Sequence, residues 1–260
     1  MLIGQTRLKE HFIDLISKDS LPKLIILTGE EGQGKYTLAR YIADKVGDIY
    51  EPKQLKVNDI RLMVEDAQSL SKRRVYLLRD ADEMTAQAQN ALLKFAEEPT
   101  RNAYIILTVQ HENNVLPTIR SRGQIYQLDP YTKEELRQFT EDELILKIFN
   151  TPGQIKRAMQ IDIRKLENVV SKVIDNISKI SAANVFNIIN HLDEFDLDLV
   201  ISMLLYMYEN KLRDSAEPLK TLEQIKVIYK YKAQFKNKSI NKRNALEVML
   251  IELREKAIGG

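Results

Sequence analysis

Apolar runs and helical stripes alternate through the first half of the chain. Segments 24–27, 75–78 and 104–107 are short and apolar, as strands buried on both faces are, and 124–128 reads as a fourth strand. Between them lie stripes at helical spacing. Residues 3–17 carry Leu8, Phe12, Leu15 and Ile16; 36–46 carry Leu38, Ala39, Ile42 and Ala43; 57–69 carry Ile60, Met63, Val64 and Ala67, with Asn58 or Asp59 as the expected cap. Thr85 opens a further helix, with Ala88, Ala91, Leu92 and Phe95 inward and Pro99 as its stop. Residues 48–54 read as a turn, with a strand as the weaker alternative.

From residue 129 the strands cease. Thr132 and Glu135 form a capping box at the start of a helix, and Thr151-Pro152-Gly153 breaks the chain before the next one. Five more helical segments follow, at 161–180, 182–192, 196–211, 219–235 and 241–256. Strand–helix alternation followed by helices alone predicts an α/β domain with a parallel sheet over 1–128, a small helical domain over 129–176 and an all-α domain over 177–260.

Composition narrows the chemistry. The chain has no cysteine, which excludes disulfides, thiol catalysis and cysteine-based zinc modules. Its three histidines, His11, His111 and His191, are scattered without ligand spacing, so no metal site of that kind is expected. No run reaches the ~20 apolar residues of a membrane span, and the N-terminus lacks the order of a signal peptide, so a cytoplasmic protein without membrane contact is expected. The net charge of +2 does not by itself argue for nucleic acid.

Residues 29–35, GEEGQGK, fit G-x-x-x-x-G-K between a strand and a helix. Gly29, Gly32 and Gly34 would let backbone N–H groups wrap a phosphate, and Lys35 would neutralise it. The next residue in such loops is Ser or Thr, whose hydroxyl holds magnesium; here it is Tyr36, and Thr37 comes one residue late and points about 100° away.

The strand at 75–78 delivers acids to its C-terminal end, but Arg79 stands where the metal-directed acid belongs, beside Asp80. Two unit charges about 4 Å apart interact by roughly 4 kcal/mol at an effective dielectric near 20, and a dication doubles that. Replacing a carboxylate by a guanidinium therefore turns attraction into comparable repulsion. A weak or absent ATPase is expected, with no magnesium site of its own, while ATP could still bind through the backbone and Lys35. The alternative, in which Arg79 pairs with Asp80 or Asp82 and the site works, stays open.

Two strings point to a family. LLRDADEMTAQAQNALLKFAEEP (residues 77–99) and LPTIRSR (116–122) together resemble the clamp-loader branch of the AAA+ ATPases, and most of all the delta-prime family of bacterial DNA polymerase III subunits. Residues 56–66 resemble the helix before the acidic strand, and 241–253 the last collar helix. The resemblance implies an α/β P-loop AAA+ domain, a helical lid and an all-α collar. It implies a DNA-replication role as a non-hydrolysing stator in a five-subunit hetero-oligomer. Its partners would be motor and wrench subunits, with the sliding clamp and primer-template DNA reached through the assembly.

By the same resemblance Arg122 is an arginine finger for the adjacent motor subunit, and Lys156 occupies the lid's phosphate-sensing position. Thr108 joins Gly29, Gly32, Gly34, Lys35, Tyr36, Thr37 and Asp80 in a nucleotide site that is active or vestigial. Where the family has a third residue Cys after Ser-Arg, this chain has Gly123, and the family's four-cysteine zinc module has no counterpart between Gly47 and Lys56. Lys72, Arg73 and Arg74 are candidates for DNA contact, set against a solvated basic turn. Lys226, Lys230, Lys232, Lys236 and Lys238 are equally the solvated faces of collar helices. Other readings are an active AAA+ ATPase with a divergent metal site, and a scaffold with an empty pocket.

Overall fold

The computed structural model of the chain describes residues 3–179, 182–235 and 240–259. They form two compact units, one of Met1–Gln138 with Thr151–Gly153, the other of Phe139–Asn150 with Gln154–Gly260.

The first unit is a five-stranded sheet with helices on both faces. In chain order it runs α1 (Thr6–Ser17), β1 (Leu24–Thr28), α2 (Lys35–Val46), β2 (Asp48–Tyr50), α3 (Val57–Gln68), β3 (Arg74–Leu78), α4 (Ala86–Glu97), β4 (Ala103–Val109), α5 (Pro117–Arg120), β5 (Gln124–Gln127) and α6 (Lys133–Arg137). The strand order is β2-β3-β4-β1-β5, and every pairing is parallel. β1, β4 and most of β3 are buried on both faces, which is why they read as unbroken apolar runs.

Alternate residues of these strands feed two cores. On one face Ile25, Leu27, Val75, Leu77 and Ile106 pack under Leu8 and Phe12 of α1 and Leu38 and Ile42 of α2. On the other Ile26, Tyr76, Leu78, Ile105 and Leu107 pack under Ile60 and Val64 of α3 and Leu92 and Phe95 of α4. The periodicities of two along strands and 3.6 along helices are thus satisfied by the same contacts.

Three local expectations need correction. Residues 48–50 form an edge strand rather than only a turn, paired Asp48–Arg74 to Tyr50–Tyr76; its residues are exposed or half-buried, so no apolar run marks it. α3 starts at Val57, two residues earlier than a cap at Asn58 and three earlier than a cap at Asp59 requires. Its N-cap is Lys56, which has no acceptor to offer, while Asp59 lies in the first turn and favours the helix dipole. Beyond Thr132, whose capping box with Glu135 forms as expected, the chain makes two short helices, because Asp142 caps a second one.

That second helix, α7 (Glu143–Ile148), opens the other unit; α8 (Pro152–Ala158) starts with Pro152 and Gly153 in the first unit and its remainder belongs to the second, which continues with α9 (Ile163–Asn176), α10 (Ala182–Leu192), α11 (Leu197–Arg213), α12 (Pro218–Phe235) and α13 (Lys242–Ile258). α9 ends at Asn176, short of the expected 180, and Ile180 lies outside the described residues. α11 is its central element: Leu199, Val200, Met203, Leu204 and Tyr208 are buried, and it packs against α7, α9 and α12. Lys226 and Lys230 pair with Glu223 and Glu252, whereas Lys236 and Lys238 lie outside the described residues. No helix among the described residues is long and apolar enough to cross a membrane.

Candidate functional site

The carboxyl ends of β1, β3 and β4 bring together most of the residues singled out by sequence. Residues 29–34 leave β1 and turn into α2, with φ of +75° at Gly32 and +94° at Gly34, a region that glycine enters without steric cost. Gln33 staples this loop: its amide donates to the carbonyls of Leu128 (3.2 Å) and Asp129 (2.9 Å), and its oxygen accepts from the Glu30 N–H at 2.7 Å. The Tyr131 hydroxyl donates to the Gln33 carbonyl. From the far side Gly153 donates to the Gly32 carbonyl at 2.9 Å, so the loop is held by backbone as well as by side chains.

Lys35 is 7% exposed, and its ammonium donates to the Gly29 and Glu30 carbonyls, both at 2.8 Å. Burial pushes its pKa below the ordinary lysine value, against the opposing pull of Asp80, Asp82, Glu31 and Glu30. An ammonium has three donors, so two carbonyls leave one. α2 has no side-chain cap at Gly34, which leaves first-turn N–H groups at its positive end without a side-chain acceptor. A phosphate group fits this cradle.

The position next to it is built differently. The Tyr36 hydroxyl donates to both carboxylate oxygens of Glu51, at 2.8 and 2.9 Å, and Arg40 joins the same carboxylate at 3.2 Å. The Arg79 guanidinium carbon sits 5.2 Å from the centroid of the Tyr36 ring, and its Nε lies 3.5 Å from Asp80 Oδ2. Thr37 is exposed. Asp80 adopts a left-handed backbone, φ +52°, which aspartate tolerates better than most residues, and its N–H donates to Thr108 Oγ1 at 3.0 Å. Asp82 accepts from the Gln110 N–H at 3.0 Å, bracing the turn after β4. Among the described residues no group of three or more His, Asp or Glu is arranged to hold a metal. A cleft of about 760 Å³ opens beside Arg79 and Asp80, with Lys53, Lys56 and Thr85 on its walls.

Arg122 is at the other end of the sheet. It precedes β5, whose Gln124 pairs with Ile25 near the start of β1, while the phosphate loop follows the end of β1. Four residue steps from Ile25 to Gly29 at ~3.3 Å each put roughly 13 Å between the level of Gln124 and the phosphate loop. Arg122 is exposed and held by the Thr118 carbonyl (3.0 Å) and Glu97 (3.1 Å). Lys72, Arg73 and Arg74 lie at the same end. Arg73 pairs with Asp19 at 2.6 Å, Arg74 with Asp66 at 2.7 Å, and Lys72 is exposed. Lys156 belongs to the second unit; it is exposed on α8, with its ammonium 5.7 Å from the centre of the Phe139 ring.

Four positioning residues escaped the sequence: Gln33, Glu51, Glu97 and Gln89. Gln89 is buried; its amide donates to the Met84 and Asn114 carbonyls and its oxygen accepts from the Leu116 N–H at 2.8 Å, which anchors the segment leading to Arg122. A glutamine at an inward helix position, one residue after Ala88 and three before Leu92, was the available signal.

Residues 49–132 match the family model described as DNA polymerase III, delta subunit. The chain is 28% identical over 166 residues to DNA polymerase III subunit gamma/tau of Mycoplasma pneumoniae, covering 52% of this chain and 24% of that protein. It is 27% identical over 172 residues to DNA polymerase III subunit delta' of Bacillus subtilis, covering 54% and 51%. The chain thus spans between about a quarter and about half the length of these curated relatives. Among solved structures, a DNA polymerase III gamma subunit-related protein from Thermotoga maritima superposes with a TM-score of 0.53 over 94% of this chain and 99% of that one, at 19% identity, a likeness of fold alone.

Proposed function

From its likeness to DNA polymerase III clamp-loader subunits, we infer that the chain belongs to the clamp-loader branch of the AAA+ proteins and is a delta-prime-like subunit that does not hydrolyse ATP and completes a neighbour's ATP site with Arg122. The observation that carries this is the pair of ends of the sheet. At one end Arg79 lies over the ring of Tyr36, whose hydroxyl is bound to Glu51, at the two positions where a metal-binding loop would carry an acid and a small hydroxyl. At the other, Arg122 stands exposed just before β5, whose first residue lies roughly 13 Å along β1 from the phosphate loop, so the guanidinium faces away from its own cradle's end of the sheet. An arginine so placed acts on charge developing in another subunit's site.

Its partners are the other clamp-loader subunits, motor and wrench, in a cytoplasmic hetero-oligomer that loads the sliding clamp on primer-template DNA. Residues 129–176 serve as the lid and 177–260 as the collar. Lys156 sits in the lid at the phosphate-sensing position. Direct DNA contact falls to Lys72, since Arg73 and Arg74 are already paired with carboxylates.

Reconstitution with motor and wrench subunits tests this. Arg122→Ala should leave assembly intact and remove turnover at one neighbouring site; normal turnover of that complex overturns the role. A second reading, an active AAA+ ATPase with a divergent metal site, draws on the well-formed cradle around Lys35. Magnesium-dependent hydrolysis by the purified chain, lost in Lys35→Ala, would establish it.

A further inference from the structure

The two residues that stand where a metal-binding loop would carry its ligands lie against each other. Arg79 lies over the ring of Tyr36, the residue directly after Lys35, and its Nε is 3.5 Å from Asp80. The Tyr36 hydroxyl is fixed on Glu51. An aromatic face and one carboxylate thus hold a guanidinium beside the first turn of α2, a stable arrangement for a planar cation.

The phosphate cradle next to it is intact. Gly32 and Gly34 keep their left-handed backbone, Lys35 has one donor left after Gly29 and Glu30, and α2 has no side-chain cap. We propose that Arg79 stands in for the metal, so that this site takes the polyphosphate of a nucleoside triphosphate free of divalent cation and disfavours its magnesium complex. An arginine in place of an acid changes the local charge by two units, the charge that the ion would supply, while Lys35 keeps its own role on the phosphate. A divalent ion entering beside them would meet the guanidinium, and the hydroxyl that should ligate it is a phenol already bound to Glu51. A polyphosphate without metal is the more anionic species and offers more oxygens to a forked donor. This assignment presupposes the non-hydrolysing role above.

Titration calorimetry on the full chain tests it, with ATP and inorganic tripolyphosphate as probes, each in EDTA and in excess magnesium. Binding in EDTA should be at least as tight as in magnesium. Arg79→Ala should weaken it about tenfold or more, and Arg79→Gln should do the same, with thermal melting confirming that both fold. The paired reversal Y36T/R79D should make binding magnesium-dependent. ATP binding more tightly than tripolyphosphate would identify a nucleotide, and equal binding a free polyphosphate; either supports the site. Binding that is about tenfold tighter in magnesium, no binding of either probe, or no loss in both Arg79 variants overturns it. Magnesium-dependent binding without turnover defeats only this inference, whereas hydrolysis by the chain alone defeats the stator role.

Discussion

Arg122 Nη2 lies 3.1 Å from Glu97 Oε1, joining the loop before β5 to the last residue of α4. Glu97 is the first acid of the E-E-P string, and Arg122 ends T-I-R-S-R, so two motifs distant in sequence are halves of one contact. Both groups are partly exposed, and such a pair contributes less than about 1 kcal/mol to stability. Its consequence is positional: the guanidinium is pre-oriented, with its Nη1 on the Thr118 carbonyl.

Arg122→Ala should therefore lower turnover at the neighbouring site on the order of 10³-fold, the scale of an arginine finger. Glu97→Gln keeps the guanidinium and loosens its aim, so its effect on steady-state ATPase should be much smaller. Gel filtration of both reconstituted complexes should show unchanged assembly.

Gln89→Ala should destabilise the first unit. It leaves the Leu116 N–H and the Asn114 carbonyl without their buried partner, at a cost of about 1–3 kcal/mol. Urea denaturation measures the loss, and increased protease cleavage within 110–122 would locate it.

Gly153→Ala should lower the melting temperature. A Cβ there runs into the Gly32 Cα, which is backbone and cannot rotate away. Overpacking of this kind costs about 1–3 kcal/mol. Gly259→Ala, whose nearest contact is an ordinary 3.4 Å, serves as the silent control.

Glu252 gives an acid-side signature. Lys230, at 2.7 Å, holds its carboxyl below the ordinary value, aided by the Tyr231 hydroxyl. A carboxyl with a depressed folded pKa stabilises above its unfolded pKa, and that stability is lost as pH falls through the folded value. Melting between about pH 7 and pH 3 should thus be less pH-dependent in Glu252→Gln than in the parent, by less than about 1 kcal/mol because Lys230 is half exposed.

The alternation of apolar runs and stripes foretold the sheet and its covering helices because β1, β3 and β4 are buried on both faces and leave a strong compositional mark. β2 leaves none, having three exposed or half-buried residues. Tyr36 and Arg79 were each legible as departures from a metal site, yet their stacking was not, since it is created by the packing of α2 beside β3. Gln33 and Gln89 were invisible for a related reason: their partners are backbone carbonyls and N–H groups, which carry no sequence signature.

Both rims of the sheet are short, three residues at β2 and four at β5. So little free ladder gives a foreign strand almost nothing to zip onto, which guards against runaway polymerisation. Side chains on loops and helices, rather than strand pairing, are the recognition surface that such rims leave open.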